Sequence, residues 1–262
     1  MRSALYLRRA PHNGKTKMLL YQLLQDPIQL ILVLPCILVS LTFHEWAHGY
    51  AAYKCGDLTA KMHGRLSLNP LAHLDPVGSV CMLLFGFGWA KPVPVNTRNF
   101  RHPRRDFAIV AVAGPLMNLL LAFGGAGVAT LIQYAGYASV VEYMTQTDMS
   151  FINGMIYYAW MLFSLFCLLN IGLAVFNLIP IPPLDGSRIV SWLLPPKASA
   201  KYNRIELYTR YILLALVVLT WLPAPLSDIV DWVFFPVDWL RGVLVDAFTG
   251  FWNLIFGLIW KL

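Results

Sequence analysis

Apolar runs dominate this chain: Ile28 to Tyr53, Phe107 to Gln133, Met155 to Ile179 and Ile205 to Leu222, with a further stretch from Val243 to Trp260. About 20 consecutive apolar residues suffice to cross a hydrocarbon core as a helix. Inside that core each backbone polar group has to be satisfied within the protein, so the expected fold is an all-α polytopic membrane protein with about five to six transmembrane helices. Composition agrees, since 58% of the 262 residues are hydrophobic and 13% charged, against about 25% charged in soluble domains.

The net charge of +7 comes from short Lys and Arg clusters flanking the apolar runs, not from one long basic face. That pattern marks topology and lipid-headgroup contact and argues against nucleic acid. The loop from Lys91 to Asp106 and the segment from Pro180 to Arg204 are basic, whereas Tyr134 to Asn153 holds Glu142 and Asp148 and no Lys or Arg. The first two are expected on the cytoplasmic side and the third opposite. Residues 1–27 read as a basic tail and interfacial segment, 28–202 as a membrane-embedded core and 203–262 as a C-terminal transmembrane region. Between Gly56 and Ser79, turn residues and short alternating apolar positions suggest a membrane-associated β-hairpin or re-entrant segment. Cys36, Cys55, Cys81 and Cys167 are widely spaced and form no Cys-x-x-Cys pair, which argues against a disulfide framework or a cysteine metal site.

In the second half of the first apolar run lies "HEWAH", His44 to His48. A charged group at a helix centre in the bilayer costs roughly 2.5–3.5 kcal/mol on insertion scales, so three ionisable side chains here need partners. The i, i+4 spacing puts both imidazoles on one helix face, where they can share a metal ion. Glu45, about 100° around the helix from His44, can take a proton from water that the metal activates. A catalytic zinc usually has three protein ligands and one open position. Glu142, Asp148, Asp75 and Asp106 are carboxylates of the right type, and Asp185 is the best placed, because Pro180, Pro182 and Pro183 break the helix before it. His63 and His73 lie in the loop after the motif and fit ordinary hydrogen bonding better than ligation.

With these strings in view, the sequence resembles the site-2 protease family of intramembrane zinc metalloproteases. The matches are the His-Glu-x-x-His string, a Gly-Pro-x-x-Asn element at Gly114, Pro115 and Asn118, and an Asn-x-x-Pro-x-Pro-x-Leu-Asp-Gly element at Asn177, Pro180, Pro182, Leu184, Asp185 and Gly186. "GRLSLNPLAHLDPVGS" and "GWAKPVPVN" look like the compact branch without an inserted PDZ domain. The resemblance covers about Leu41 to Arg188. It implies one Zn2+ ion held by His44, His48 and Asp185, with Glu45 as general base. Asn118 would hold the substrate backbone or stabilise the oxyanion, and Asn177 would contact substrate. Implied partners are a transmembrane protein or peptide substrate and the bilayer, in the plasma membrane with the site toward the cytoplasm.

A membrane zinc peptidase acting on chains outside the bilayer, and a metal-binding transporter or idle scaffold, are the alternatives. A transporter would carry further ionisable residues along an ion path, and an idle scaffold would commonly have lost Glu45 or a ligand. The topology holds one conflict. If the tail before Ile28 and the loop carrying Asp185 share a side, His44 lies about 16 residues, roughly 24 Å, along its helix from that side. Either the motif helix enters from the outside, or the pieces before Pro35 form a separate element.

Overall fold

The computed structural model describes residues 27–85, 88–219 and 226–260; the basic tail of residues 1–26 lies outside them. The described helices are α1 Pro27–Lys54, α2 Thr59–Met62, α3 Pro76–Phe85, α4 Pro103–Ala135, α5 Tyr137–Met144, α6 Phe151–Asn177, α7 Asp185–Leu193, α8 Pro196–Arg204, α9 Glu206–Leu219 and α10 Leu226–Ile259. Local chemistry sets several of these boundaries. Pro103 opens α4 in the first helical turn, where a missing N–H does no harm, and the Asp106 carboxylate accepts the His102 N–H at 2.8 Å. Ser150 caps α6 by accepting from the Asn153 N–H. The proline-rich stretch from Pro180 then keeps that helix from continuing.

Four helices are long and apolar enough to span a membrane: Leu30–Lys54, Pro103–Ala135, Phe151–Asn177 and Val233–Ile259. The all-helical membrane architecture expected from the sequence is observed, with these four spans among the described residues. The expected span from Ile205 to Leu222 overlaps α9, whose described part is Glu206–Leu219. Further on, α10 runs unbroken through Pro236 and takes in most of the apolar stretch from Val243 to Trp260.

No β-hairpin forms between Gly56 and Ser79 among the described residues. Leu74 makes one isolated antiparallel bridge with Ala90. The turn residues start helical turns instead: Asn69 Oδ1 accepts from Leu71 N–H at 3.1 Å, and Asp75 Oδ1 accepts from Gly78 N–H at 2.8 Å. Each sits directly before a proline, the residue preferred at the first helical position.

Helix α4 is central and packs against α1, α6, α7 and α10. It does so through small residues, with Gly114, Ala122, Gly125, Ala126 and Ala129 buried, as expected where helices associate by close approach without a hydrophobic drive from water. Ala122 and Ala126 join Cys167, Ile171 and Val175 of α6 in one core cluster, which Leu244, Phe248 and Trp252 of α10 cover. Large apolar side chains such as Ile31, Leu120 and Phe151 face outward, in keeping with a lipid-exposed surface.

Contacts between α1 and α4 pair Ser40 and His44 with Asn118, and His48 with Val110. The two helices are therefore antiparallel. The C-terminus of α1 lies at the end of the bundle where α4 begins, and Arg104 there reaches the carbonyls of Ser191 and Trp192 at the end of α7. Helix α1 runs without a break through Pro35, so its first described residues lie at the opposite end of the bundle from the start of α4.

Candidate metal centre

Two helices and a loop build the site. On α1, the i, i+4 spacing stacks the His44 and His48 rings edge to face, with centroids 4.5 Å apart. Asp185 arrives from the chain reversal after α6, where Ile181 N–H donates to the Ile179 carbonyl at 2.8 Å and Leu184 N–H to the Ile181 carbonyl at 2.9 Å. Tyr202 on α8 donates to the Pro180 carbonyl at 2.7 Å and Thr209 on α9 to that of Pro182. Helix α7 then starts at Asp185 itself.

The Nε2 atoms of His44 and His48 lie 3.0 Å apart, and each is 3.3 Å from Asp185 Oδ2. Tetrahedral zinc with bonds near 2.0–2.1 Å sets its ligand atoms about 3.3 Å from one another. The Nδ1 of His44 faces Asn118 Oδ1 at 2.5 Å and the Nδ1 of His48 faces the Val110 carbonyl at 2.7 Å. Both partners are acceptors, so both protons sit on Nδ1 and both Nε2 atoms present lone pairs. Asp185 Oδ2 is buried without a hydrogen-bond partner. Three candidate ligand atoms thus converge on one point, an arrangement that a cation stabilises. They form the cluster of His, Cys, Asp and Glu side chains able to hold a metal ion among the described residues.

Gly114 is what lets α4 come so near. A Cβ at this position would lie 2.5 Å from His48 Cε1 and 2.6 Å from His44 Cε1. One turn further along, Asn118 turns its amide to the His44 ring. The Gly-Pro-x-x-Asn spacing therefore supplies room for both rings and a hydrogen bond to one of them.

Glu45 is half-buried and its Oε2 accepts the Val93 N–H at 2.9 Å. Val93 belongs to a "KPVPV" strap in which Pro92 and Pro94 have no N–H, so this donor stands alone between Lys91 and Val95. Arg65 holds the strap by donating to the Lys91 and Pro92 carbonyls, and the fully buried Asp57 holds it by accepting the Asn96 N–H at 2.7 Å. Sequence reasoning missed both the strap contact and Gly114's role; the alternation of prolines around one valine was the signal for the former.

Of the other expected residues, Asn177 donates to the Leu173 carbonyl one turn back in α6. Asn118 is fully buried with its amide bonded to His44, Asn170 and Ser40. His63 pairs with the Thr59 carbonyl and His73 with that of Ser67, and neither joins the cluster.

The sequence profile of peptidase family M50 matches residues 32–220, which spans both ligand-bearing segments. The chain belongs to peptidase family M50. As an M50 protein of the site-2 protease type, it is a zinc metalloprotease embedded in a membrane. It is 43% identical to YwhC of Bacillus subtilis, a protein named as a zinc metalloprotease, over 75% of this chain and 82% of that one. With Rip2 of Mycolicibacterium smegmatis, also named as a zinc metalloprotease, it shares 27% identity over 86% of this chain and 82% of the other. No solved structure matches it.

Proposed function

We propose that this M50 protein is an intramembrane endopeptidase, hydrolysing peptide bonds in or near the transmembrane segments of membrane-protein substrates. Such cleavage would serve regulated proteolysis or the clearance of signal-peptide remnants. His44, His48 and Asp185 are the zinc ligands in this reading, and Glu45 is the general base. The observation that carries it is the depth of the cluster: His48 and His44 lie six and ten residues before Lys54, inside the apolar span Leu30–Lys54. That is about 9–15 Å of helix rise from the end of α1.

When bound, zinc polarises the scissile carbonyl and makes water acidic enough to lose a proton near neutral pH. Glu45 takes that proton and returns it to the leaving amine. Val93 N–H, donating to Oε2, holds the carboxylate in place and leaves Oε1 for the transfer. No side chain here needs to form a covalent intermediate, and Asn177, at the broken end of α6, is offered as a contact for the substrate backbone. Basic residues gather at the end of the bundle where α1 finishes and α4 begins, which supports a cytoplasmic-side site in a plasma membrane.

The test is co-expression of tagged single-span proteins with the wild-type chain and with Glu45→Gln, reading fragments by mass spectrometry. Glu45→Gln should retain zinc and trap uncut substrate. Cleavage by that variant at the wild-type rate would defeat the mechanism, and cleavage confined to soluble segments would defeat the intramembrane assignment.

A further inference from the structure

Behind His44, three side chains from three helices form a hydrogen-bonded chain whose direction can be read from its ends. Ser40 of α1, Asn118 of α4 and Asn170 of α6 are each 0% exposed. At one end, Ser40 Oγ lies 2.6 Å from the Cys36 carbonyl and Asn170 Nδ2 lies 2.8 Å from the Phe166 carbonyl. Carbonyl oxygens only accept, so Ser40 donates to Cys36 and Asn170 presents its NH2 group on that side. The same NH2 donates to Ser40 Oγ at 2.8 Å, which turns Asn170 Oδ1 toward α4. Asn118 Nδ2 donates to that oxygen at 2.7 Å and also approaches the Ser40 carbonyl at 3.3 Å. The remaining end of the Asn118 amide, Oδ1, therefore faces His44 Nδ1.

We infer that Asn118 is a positioning residue for the metal ligand His44, and that Asn170 and Ser40 lock its amide in the orientation this requires. A flipped Asn118 would put its oxygen against Asn170 Oδ1 and its NH2 against His44 Nδ1. The proton of His44 would then move to Nε2, the atom that faces His48 and Asp185, and the ring could not ligate. Two backbone carbonyls thus set the tautomer of a ligand through three buried side chains, and α6 takes part in metal binding without supplying a ligand from its own length. The full burial of Asn118, with both ends of its amide engaged, leaves it no group to offer a substrate. This differs from the substrate or oxyanion contact that the family resemblance implies for the residue.

The inference rests on zinc seating at His44, His48 and Asp185, and the experiment separates the two ideas. Zinc affinity of the full-length chain in detergent is measured by competition with a chelating indicator, and the absorption of the Co2+-substituted protein reports ligand geometry. His48→Ala serves as the control for the site: zinc binding at the wild-type level in that variant would remove the site itself. Given loss in the control, Asn118→Leu should weaken zinc binding about 10–100-fold and alter the Co2+ spectrum. Asn170→Leu leaves every ligand and Asn118 in place and should weaken binding severalfold, which keeps the test decisive even where Asn118→Leu does not fold. Zinc affinity at the wild-type level in Asn170→Leu, or in a folded Asn118→Leu that has lost cleavage, would overturn the inference.

Discussion

Gly114→Ala adds one methyl group at the tightest point of the site. The new Cβ would stand 2.5 Å from His48 Cε1 and 2.6 Å from His44 Cε1, where carbon atoms prefer about 3.5–4.0 Å. An overlap of about 1 Å has to be relieved by the rings or by α4. Neither ring is a loose end, because His44 is bonded to Asn118 and His48 to the Val110 carbonyl. In an unencumbered helix interior the same substitution stabilises by about 1 kcal/mol. Overpacking costs about 1–3 kcal/mol, so the net effect on stability is small and destabilising. Function is far more sensitive, since a displacement of about 1 Å at a reacting centre can lower the rate about 10²-fold. Gly124→Ala on the same helix is the matched control, as its Cβ would meet nothing within 4 Å. Zinc affinity, cleavage of a tagged single-span substrate and thermal unfolding should be compared in both. Gly114→Ala should lose zinc binding and cleavage with only a modest fall in Tm, while Gly124→Ala keeps all three. Equal zinc affinity and equal cleavage in the two variants would refute the steric argument.

Gly186→Ala should act from the other side of the site: its Cβ would lie 2.5 Å from the Leu178 carbonyl carbon and 2.7 Å from the Ile179 oxygen, pushing Asp185 off the cluster, and zinc affinity should fall at least tenfold, on the order expected for disturbed ligand support. Val93→Pro removes the N–H that holds Glu45 and should lower kcat about tenfold or more with zinc content unchanged, consistent with the range for general-base catalysis; parallel loss of zinc would show that the strap is only structural. Burial pushes the Asp57 carboxyl up, but hydrogen bonds from Thr59, Asn96 and Asn99 outweigh it and hold its pKa below the ordinary value. Asp57 therefore contributes stability that is present above the unfolded value of about 3.9 and is lost as pH falls through the lower folded value. Asp57→Asn should flatten that acid limb in a plot of Tm against pH, and an unchanged limb would show that other carboxylates set it.

How much of this was legible in the residues follows the range of the interactions. The His44–His48 pair could be read because its geometry is internal to one helix, where four residues make about one turn. Asp185 could be named from the Leu-Asp-Gly string, but the reversal that delivers it depends on Tyr202 and Thr209 bonding the carbonyls of Pro180 and Pro182. The long apolar runs that form α1, α4 and α6 could be read from composition and length. The turn-rich stretch after α1 misled, because Asn-Pro and Asp-Pro begin a hairpin turn or a helix equally well, and here they begin helical turns.

The sequence by itself determined that this chain lives in a membrane, that two histidines share one helix face, and that its motifs match peptidase family M50. Those properties are written in composition and in spacings of a few residues. Only the tertiary structure decided which way α1 runs, why position 114 has to be glycine, which backbone N–H holds Glu45, and that Asn118 faces a ligand ring with Asn170 behind it. Contacts such as Asn118–Asn170 and Val93–Glu45 join residues 52 and 48 positions apart. They are fixed by how helices pack against one another, and close packing of small residues leaves no periodic signal along the chain.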